Sequence, residues 1–169
     1  MKTLAKTLLA TAMIANTVMA AEVGFYGGGG LAFEAVPKYD NLKMGLGVVL
    51  RGGMTLDFVL ENFGVEAEIT KSVIDPKFDY GFGSEKLNVT TLATYAVYRI
   101  PITDKIYVKP RFGIIFPNLG DDFVNSRDVT FSSGIGGGFT VMNHLDVYVD
   151  YTVIGEGITN YAAGVEYHF

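Results

Sequence analysis

Cysteine is absent from this chain of 169 residues. In an exported protein this removes disulfide staples, a lipid-modified N-terminal cysteine as membrane anchor, and any thiolate metal site. Histidine is nearly as scarce, at 2 residues, which leaves no basis for a histidine-rich metal centre. Charged residues make up 18% of the chain, against about 25% in ordinary soluble domains. Basic residues number 13 against 18 acidic. That balance excludes nucleic acid as a partner, because neutralising phosphates takes clustered Lys and Arg. Beyond residue 20 there is no apolar run of the ~18 residues that a bilayer-crossing helix needs.

What is abundant points elsewhere. Glycine occurs 21 times, aromatics make up 13%, and the mean hydropathy is positive. High hydropathy without a spanning helix leaves a very apolar soluble β-protein or a membrane barrel whose apolar residues lie two apart. The length suits one domain.

The first stretch, MKTLAKTLLATAMIANTVMA (residues 1–20), has the organisation of a signal peptide. Lys2 and Lys6 form a positive n-region, residues 8–15 an apolar h-region, and Val18, Met19 and Ala20 a small-residue cleavage box. Cleavage before Ala21 leaves residues 21–169 to fold as one domain. Losing Lys2 and Lys6 takes the basic count from 13 to 11, against 18 acidic residues.

From Ala21 onward the hydrophobic period is two, which argues strands. Eight segments follow, at about 22–34, 42–56, 62–74, 86–99, 105–116, 128–141, 145–154 and 159–169. In the third, Phe63, Val65, Ala67 and Ile69 oppose Gly64, Glu66, Glu68 and Thr70. In the fourth, Leu87, Val89, Ala93, Tyr95 and Val97 are read as the apolar face, against Asn88, Thr90, Thr94 and Tyr98. Most segments reach the 9–11 or so residues that a tilted strand needs to cross hydrocarbon. Pro110 cannot donate to a ladder, so a bulge or local irregularity is expected there. Connections alternate between compact (57–61, 101–104, 142–144) and mostly longer (36–41, 75–85, 117–127, with 155–158 short). Short turns on one rim and loops on the other is the pattern of transmembrane barrels.

Alternation alone fits a soluble barrel turned inside out equally well, and two features decide. Glycine crowds the polar face, where it would only weaken a solvated strand but would suit the narrow interior of an eight-stranded barrel. The apolar face carries Phe25, Phe33, Phe63, Phe116, Tyr151, Tyr161, Tyr167 and Phe169 near segment ends, as interfacial girdles require. The expected fold is therefore all-β, an eight-stranded antiparallel up-and-down transmembrane barrel.

The polar face is then the lumen. A mixed charge network is expected there, made by Arg51, Glu66, Glu68, Lys109, Arg111, Asp146, Asp150 and Glu166, with Glu34 and Lys43 on the same face. Folding the second hairpin about Val59 sets Arg51 opposite the Glu66 and Glu68 region. Buried charges cost several kcal/mol each unless paired, so a salt-bridged plug is expected rather than an open pore.

The last nine residues, YAAGVEYHF, resemble the terminal strand of bacterial outer-membrane proteins, where a C-terminal Phe with apolar residues at alternate upstream positions is the assembly signal. Phe169, Tyr167, Val165, Ala163 and Tyr161 match that spacing. The opening EVGFYGGGGLAFE and the stretch NFGVEAEIT are similar to the small-barrel family that includes the OmpA transmembrane domain, OmpX and OmpW. The resemblance implies residence in the bacterial outer membrane, with outer-membrane lipid and lipopolysaccharide as surroundings. It also implies delivery by periplasmic chaperones, insertion by the barrel-assembly machinery, and interior salt bridges that plug or gate the barrel. No peptidoglycan-binding domain follows Phe169, so a cell-wall tether is not expected. A monomer is.

Other motifs carry little. Residues 27–30 and 134–138 are glycine-rich but open no helix and precede no Gly-Lys-Ser/Thr, so they read as small lumenal residues rather than phosphate loops. His144 falls in a periplasmic turn and His168 at the periplasmic end of the last strand, so no Ser/His/acid set assembles and no enzyme is expected. Asp121 and Asp122 are a weak divalent-cation signal in a loop. Phe78, Tyr80 and Phe82 are spaced to extend a hairpin above the membrane or offer an edge to a partner. No cofactor or metal is expected. The functional expectation is a structural, envelope-integrity or surface-interaction barrel with a plugged lumen. The alternative is a narrow porin-like channel for small or apolar solutes.

Overall fold

The computed structural model describes residues 23–35, 45–74, 77–79, 84–86, 89–119, 129–155 and 158–169. The strands are β1 (Phe25–Ala35), β2 (Gly45–Thr55), β3 (Phe63–Ile74), β4 (Lys77–Asp79), β5 (Ser84–Lys86) and β6 (Val89–Tyr98). They continue with β7 (Ile100–Pro101), β8 (Ile106–Leu119), β9 (Thr130–Met142), β10 (Leu145–Ile154) and β11 (Ile158–His168). Each of the eight long strands pairs antiparallel with its neighbours, in the order β6-β3-β2-β1-β11-β10-β9-β8, and the β6–β8 pairing closes the ring. No free edge is left among these strands. Among the described residues no helix is long and apolar enough to cross a membrane.

Register follows from the side-chain period, because a slip by one residue would turn a whole strand over. At the seam Tyr26 pairs with His168 and Gly30 with Gly164. Arg51 pairs with Glu68, as folding the hairpin about Val59 requires. The outward face is the apolar one: Phe131 is 84% exposed, and Leu50, Phe112 and Val149 also point away from the axis. Tyr151 and Tyr161 lie together on the loop side, with ring centroids 5.2 Å apart. Tyr167 and Phe169 meet edge-on near the turn side, at 5.3 Å. Most charged side chains of the long strands point inward, Lys71 excepted.

Two expectations need correction and a third, at Pro110, is met in its milder form. The fourth segment is reversed: Ala93, Tyr95 and Val97 face the lumen, while Leu92, Thr94 and Tyr98 face out. Tyr95 faces inward because its ring packs against Arg111 and its hydroxyl meets Ser132 Oγ at 3.2 Å. Ala93, Val97, Ile115 and Ile154 give it an apolar neighbourhood inside the barrel. At Pro110 the expected bulge or local irregularity takes the form of a local irregularity, without a bulge. The β8–β9 register runs through it unbroken, with Pro110 opposite Ile135. The irregularity lies on the other side, where pairing lapses between Val97↔Arg111 and Ile100↔Val108, splitting β7 from β6 where Pro110 lacks a donor. Finally, β8 runs beyond 116 through Pro117 and Asn118 to Leu119, still paired with β6.

The β4–β5 pair, with Phe78 opposite Glu85, extends the β3–β6 connection as a separate two-stranded sheet. Tyr80, Phe82, Lys43, Asp121, Asp122 and the leader lie outside the described residues, as does the side chain of Glu34.

Candidate functional site

Inward positions of an eight-stranded barrel have just enough room for side chains to fill the bore. Here they fill it in layers. Toward the loop rim the inward residues are small or carry hydroxyls, among them Ala32, Val49, Thr70, Thr91, Ala93 and Thr152, all buried. Among the described inward side chains, charge is confined to the middle and the turn side.

The first charged layer joins Arg51 and Arg111. Arg51 lies 3.0 Å from Glu68, 2.6 Å from Asp150 and 3.0 Å from Glu166. Arg111 donates from Nη1 to Asp150 and from Nη2 to Glu68, both at 2.9 Å. Below them Lys109 Nζ donates to Glu66 at 2.5 Å and to Glu166 at 2.9 Å. The Tyr26 hydroxyl donates to the same Glu66 oxygen at 3.0 Å. At the turn side Arg99 donates to Asp146 at 3.0 Å and lies 3.5 Å from Glu166. His168 Nε2 sits 3.1 Å from Asp146. Glu66 and Glu166 are 0% exposed, so each would be costly without its cations. Most of these pairs reach across at least one intervening strand of the ring, which makes the network a transverse plug.

Each cation also has a tyrosine. The Arg51, Arg99 and Arg111 guanidinium carbons stand 3.8, 3.9 and 3.8 Å from the ring centroids of Tyr148, Tyr107 and Tyr95. Lys109 is 5.7 Å from that of Tyr26. Such contacts strengthen when desolvated. The rings find space because their cross-strand partners are glycines: Tyr26 opposes Gly53, Tyr95 opposes Gly113, and Tyr107 and Tyr148 both oppose Gly138. A Cβ on Gly53 or Gly138 would strike the ring of Tyr26 or Tyr107. Glycine therefore has a specific packing use here, though Gly27, Gly29 and Gly137 lie on the outward side of their strands.

All eight residues named from the sequence are in this network, with Asp146 joined to the rest through Arg99. Arg99 and Tyr95 were missed for one reason, the reversed fourth segment, which put odd-numbered positions on the wrong face. The observed pairing is centred on Asp104, which sets Val97 opposite Arg111 and Tyr95 opposite Gly113, whereas a turn at 101–104 would set Val97 opposite Val108. Cross-strand partners share a face, so the lumenal charge on the fifth segment orients the fourth only once the centre of the turn is known.

Asp146, Glu166 and His168 bring ligand-type atoms within 4.8 Å of one another. Arg99 already contacts all of these side chains, so the cluster is compensated by a protein cation. His144 lies in an exposed turn, and its carbonyl accepts the His168 N–H at 2.8 Å. The two histidines thus sit at the turn rim, joined through backbone.

Residues 6–169 match the family described as "Outer membrane protein beta-barrel domain". This chain belongs to that family. It is an outer membrane β-barrel, and its location is the bacterial outer membrane. The outward apolar face of the outer membrane β-barrel is accordingly its lipid-facing surface, and the rim of short turns is periplasmic. No curated protein matches the sequence. Among solved structures, a major outer membrane protein from Thermus thermophilus is similar at a TM-score of 0.63 and 15% identity, covering 87% of this chain and 99% of that one. The Yersinia pestis outer membrane protein Ail in a phospholipid bilayer nanodisc gives 0.56 and 14%, over 88% and 100%. OprG from Pseudomonas aeruginosa gives 0.56 and 12%, over 88% and 96%. At these identities the likeness is one of fold.

Proposed function

We propose that this outer membrane β-barrel is a closed structural element of the envelope that presents its loops for surface interaction, and is neither a conduit nor an enzyme. The observation that carries the reading is the transverse charge layer. Arg51, Lys109 and Arg111 each bridge carboxylates from other strands, at distances of 3.5 Å or less. A solute passing through would have to separate ions that lie in a water-poor bore, and separating them exposes uncompensated buried charge.

Planar-bilayer recording on refolded protein tests this. Heat-modifiable gel mobility must first show that the barrel has formed. The expected result is no defined unitary conductance. A reproducible single-channel step that changes on Arg111→Met would overturn the closed reading and favour the narrow channel.

The route to the membrane belongs to the same proposal. Residues 1–20 serve as an export leader, so N-terminal sequencing of outer-membrane protein should begin at Ala21. Phe169, Tyr167 and Val165, alternate outward residues at the end of the chain, serve as the signal read by the assembly machinery after chaperoned transit. The folded barrel stands as a monomer in lipid and lipopolysaccharide.

A further inference from the structure

The periplasmic rim is not uniformly polar. At the tip of the β2–β3 turn Phe58, Val59 and Leu60 follow one another, exposed by 61%, 61% and 53%. Tight turns in water favour Gly, Asn, Asp and Ser, so three bulky apolar residues here call for a cover. Backbone hydrogen bonds of the turn hold them outward. Val59 and Leu60 N–H groups donate to the Leu56 carbonyl at 2.8 and 3.3 Å, and Phe63 N–H to the Leu60 carbonyl at 3.0 Å. Asn62 takes a left-handed φ of 64°, and its N–H donates to Asp57 Oδ1 at 2.7 Å. The Asn62 carbonyl accepts the Arg99 N–H at 2.9 Å, which fastens this turn to the next one, where Ile100 and Ile102 are also exposed. The β9–β10 turn, by contrast, has Asn143 and His144 at its tip.

This apolar sector continues the lipid-facing belt. Met54 leads to Leu56, whose N–H donates to the Phe63 carbonyl at 2.7 Å, and Phe63 pairs with the outward Tyr98. We propose that the sector is a membrane foot: Phe58, Val59 and Leu60, with Ile100 and Ile102, seat in the interfacial zone of the periplasmic leaflet, covered by phospholipid acyl chains. Exposed Asp57 and Glu61 on either side of the tip stay at the head groups, as polar flanks of interfacial segments do. The foot fixes the depth and tilt of one side of the barrel. This inference rests on the outer-membrane placement and is independent of whether the lumen conducts.

The chain contains no tryptophan, so Phe58→Trp introduces a sole indole, excited at the red edge where the tyrosines do not absorb. The variant is refolded into phosphatidylcholine vesicles carrying bromine on the acyl chain close to the head group, with heat-modifiable mobility as the check on folding. Val59→Trp gives an independent reading in the same turn if the first variant does not refold. Asn143→Trp reports the polar turn of the same rim. The expected result is blue-shifted emission from the β2–β3 turn, quenched several-fold more strongly than that of Asn143→Trp. Emission like that of the unfolded chain, without quenching, overturns the proposal. Blue-shifted but unquenched emission also overturns it, and assigns the tip to a protein neighbour. Equal quenching of the two turns overturns it as well, because depth would then be a property of the whole rim.

Discussion

The ring of Tyr26 occupies the space that a side chain on Gly53, its cross-strand partner, would need. The same arrangement recurs at Tyr107 and Gly138. Bare backbone, tyrosine ring, cation and carboxylate follow one another from wall to axis.

Adjacent glycines on opposite faces test this packing. Gly53→Ala forces a methyl group against Tyr26 and should destabilise the barrel by about 1–3 kcal/mol, as overpacking does. Gly52→Ala, whose Cβ would meet only the Tyr26 carbonyl at 3.9 Å, should stay within about 0.5 kcal/mol of wild type. Urea unfolding in lipid vesicles measures both. Equal effects would show that glycine here acts through strand propensity alone.

The charge layer makes a second prediction. Arg111→Met leaves Glu68 and Asp150 short of a cation and should cost about 3–5 kcal/mol, the usual result of breaking a buried pair from one side. Lys105→Met, in an exposed turn, should be close to silent. A loss for Arg111→Met no larger than that for Lys105→Met would mean that water already screens the lumen.

The orientation of β6 can be read by labelling, since the chain has no cysteine of its own. Leu92→Cys should react with a lipid-soluble maleimide in vesicles, and Ala93→Cys should not. Reaction at position 93 alone would restore the opposite face.

Assembly provides a fourth test. Phe169→Ala should lower outer-membrane insertion far more than Phe131→Ala, although both side chains are strongly exposed, at 81% and 84%. Phe131 offers lipid contact only, whereas Phe169 is proposed as a recognition element. Equal insertion would remove that role.

These tests also mark where the sequence was legible. Strands such as β3 and β10 alternate without ambiguity, because Glu66 and Glu68, or Asp146 and Asp150, cannot face hydrocarbon. β6 carries no charge between Val89 and Tyr98, and its two faces, Ala93-Tyr95-Val97 and Leu92-Thr94-Ala96, differ little in hydropathy. Local pattern could not orient it, and the orienting contacts (Arg111, Ser132 and Gly113) lie on other strands. At Pro110 the sequence left open whether a bulge or a milder irregularity would form, and the milder one is found. A missing N–H removes one ladder bond, and the unbroken register with β9 accommodates the loss without an inserted residue. The rings over the cations were invisible too, since alternation sorts residues by face but says nothing of which ring meets which charge.

The seam has a consequence for timing. Arg51 and Glu166 are 115 positions apart, on strands brought together by the pairing of β1 with β11. Their contact cannot form until β11 has met β1, so this part of the bore is the last to dry. Before closure the same charges remain hydrated and interrupt the apolar stretches of β2, β3, β8, β10 and β11. The groups that finally seal the bore are also those that keep the unfinished chain from being mistaken for a membrane-spanning helix on its way out of the cell.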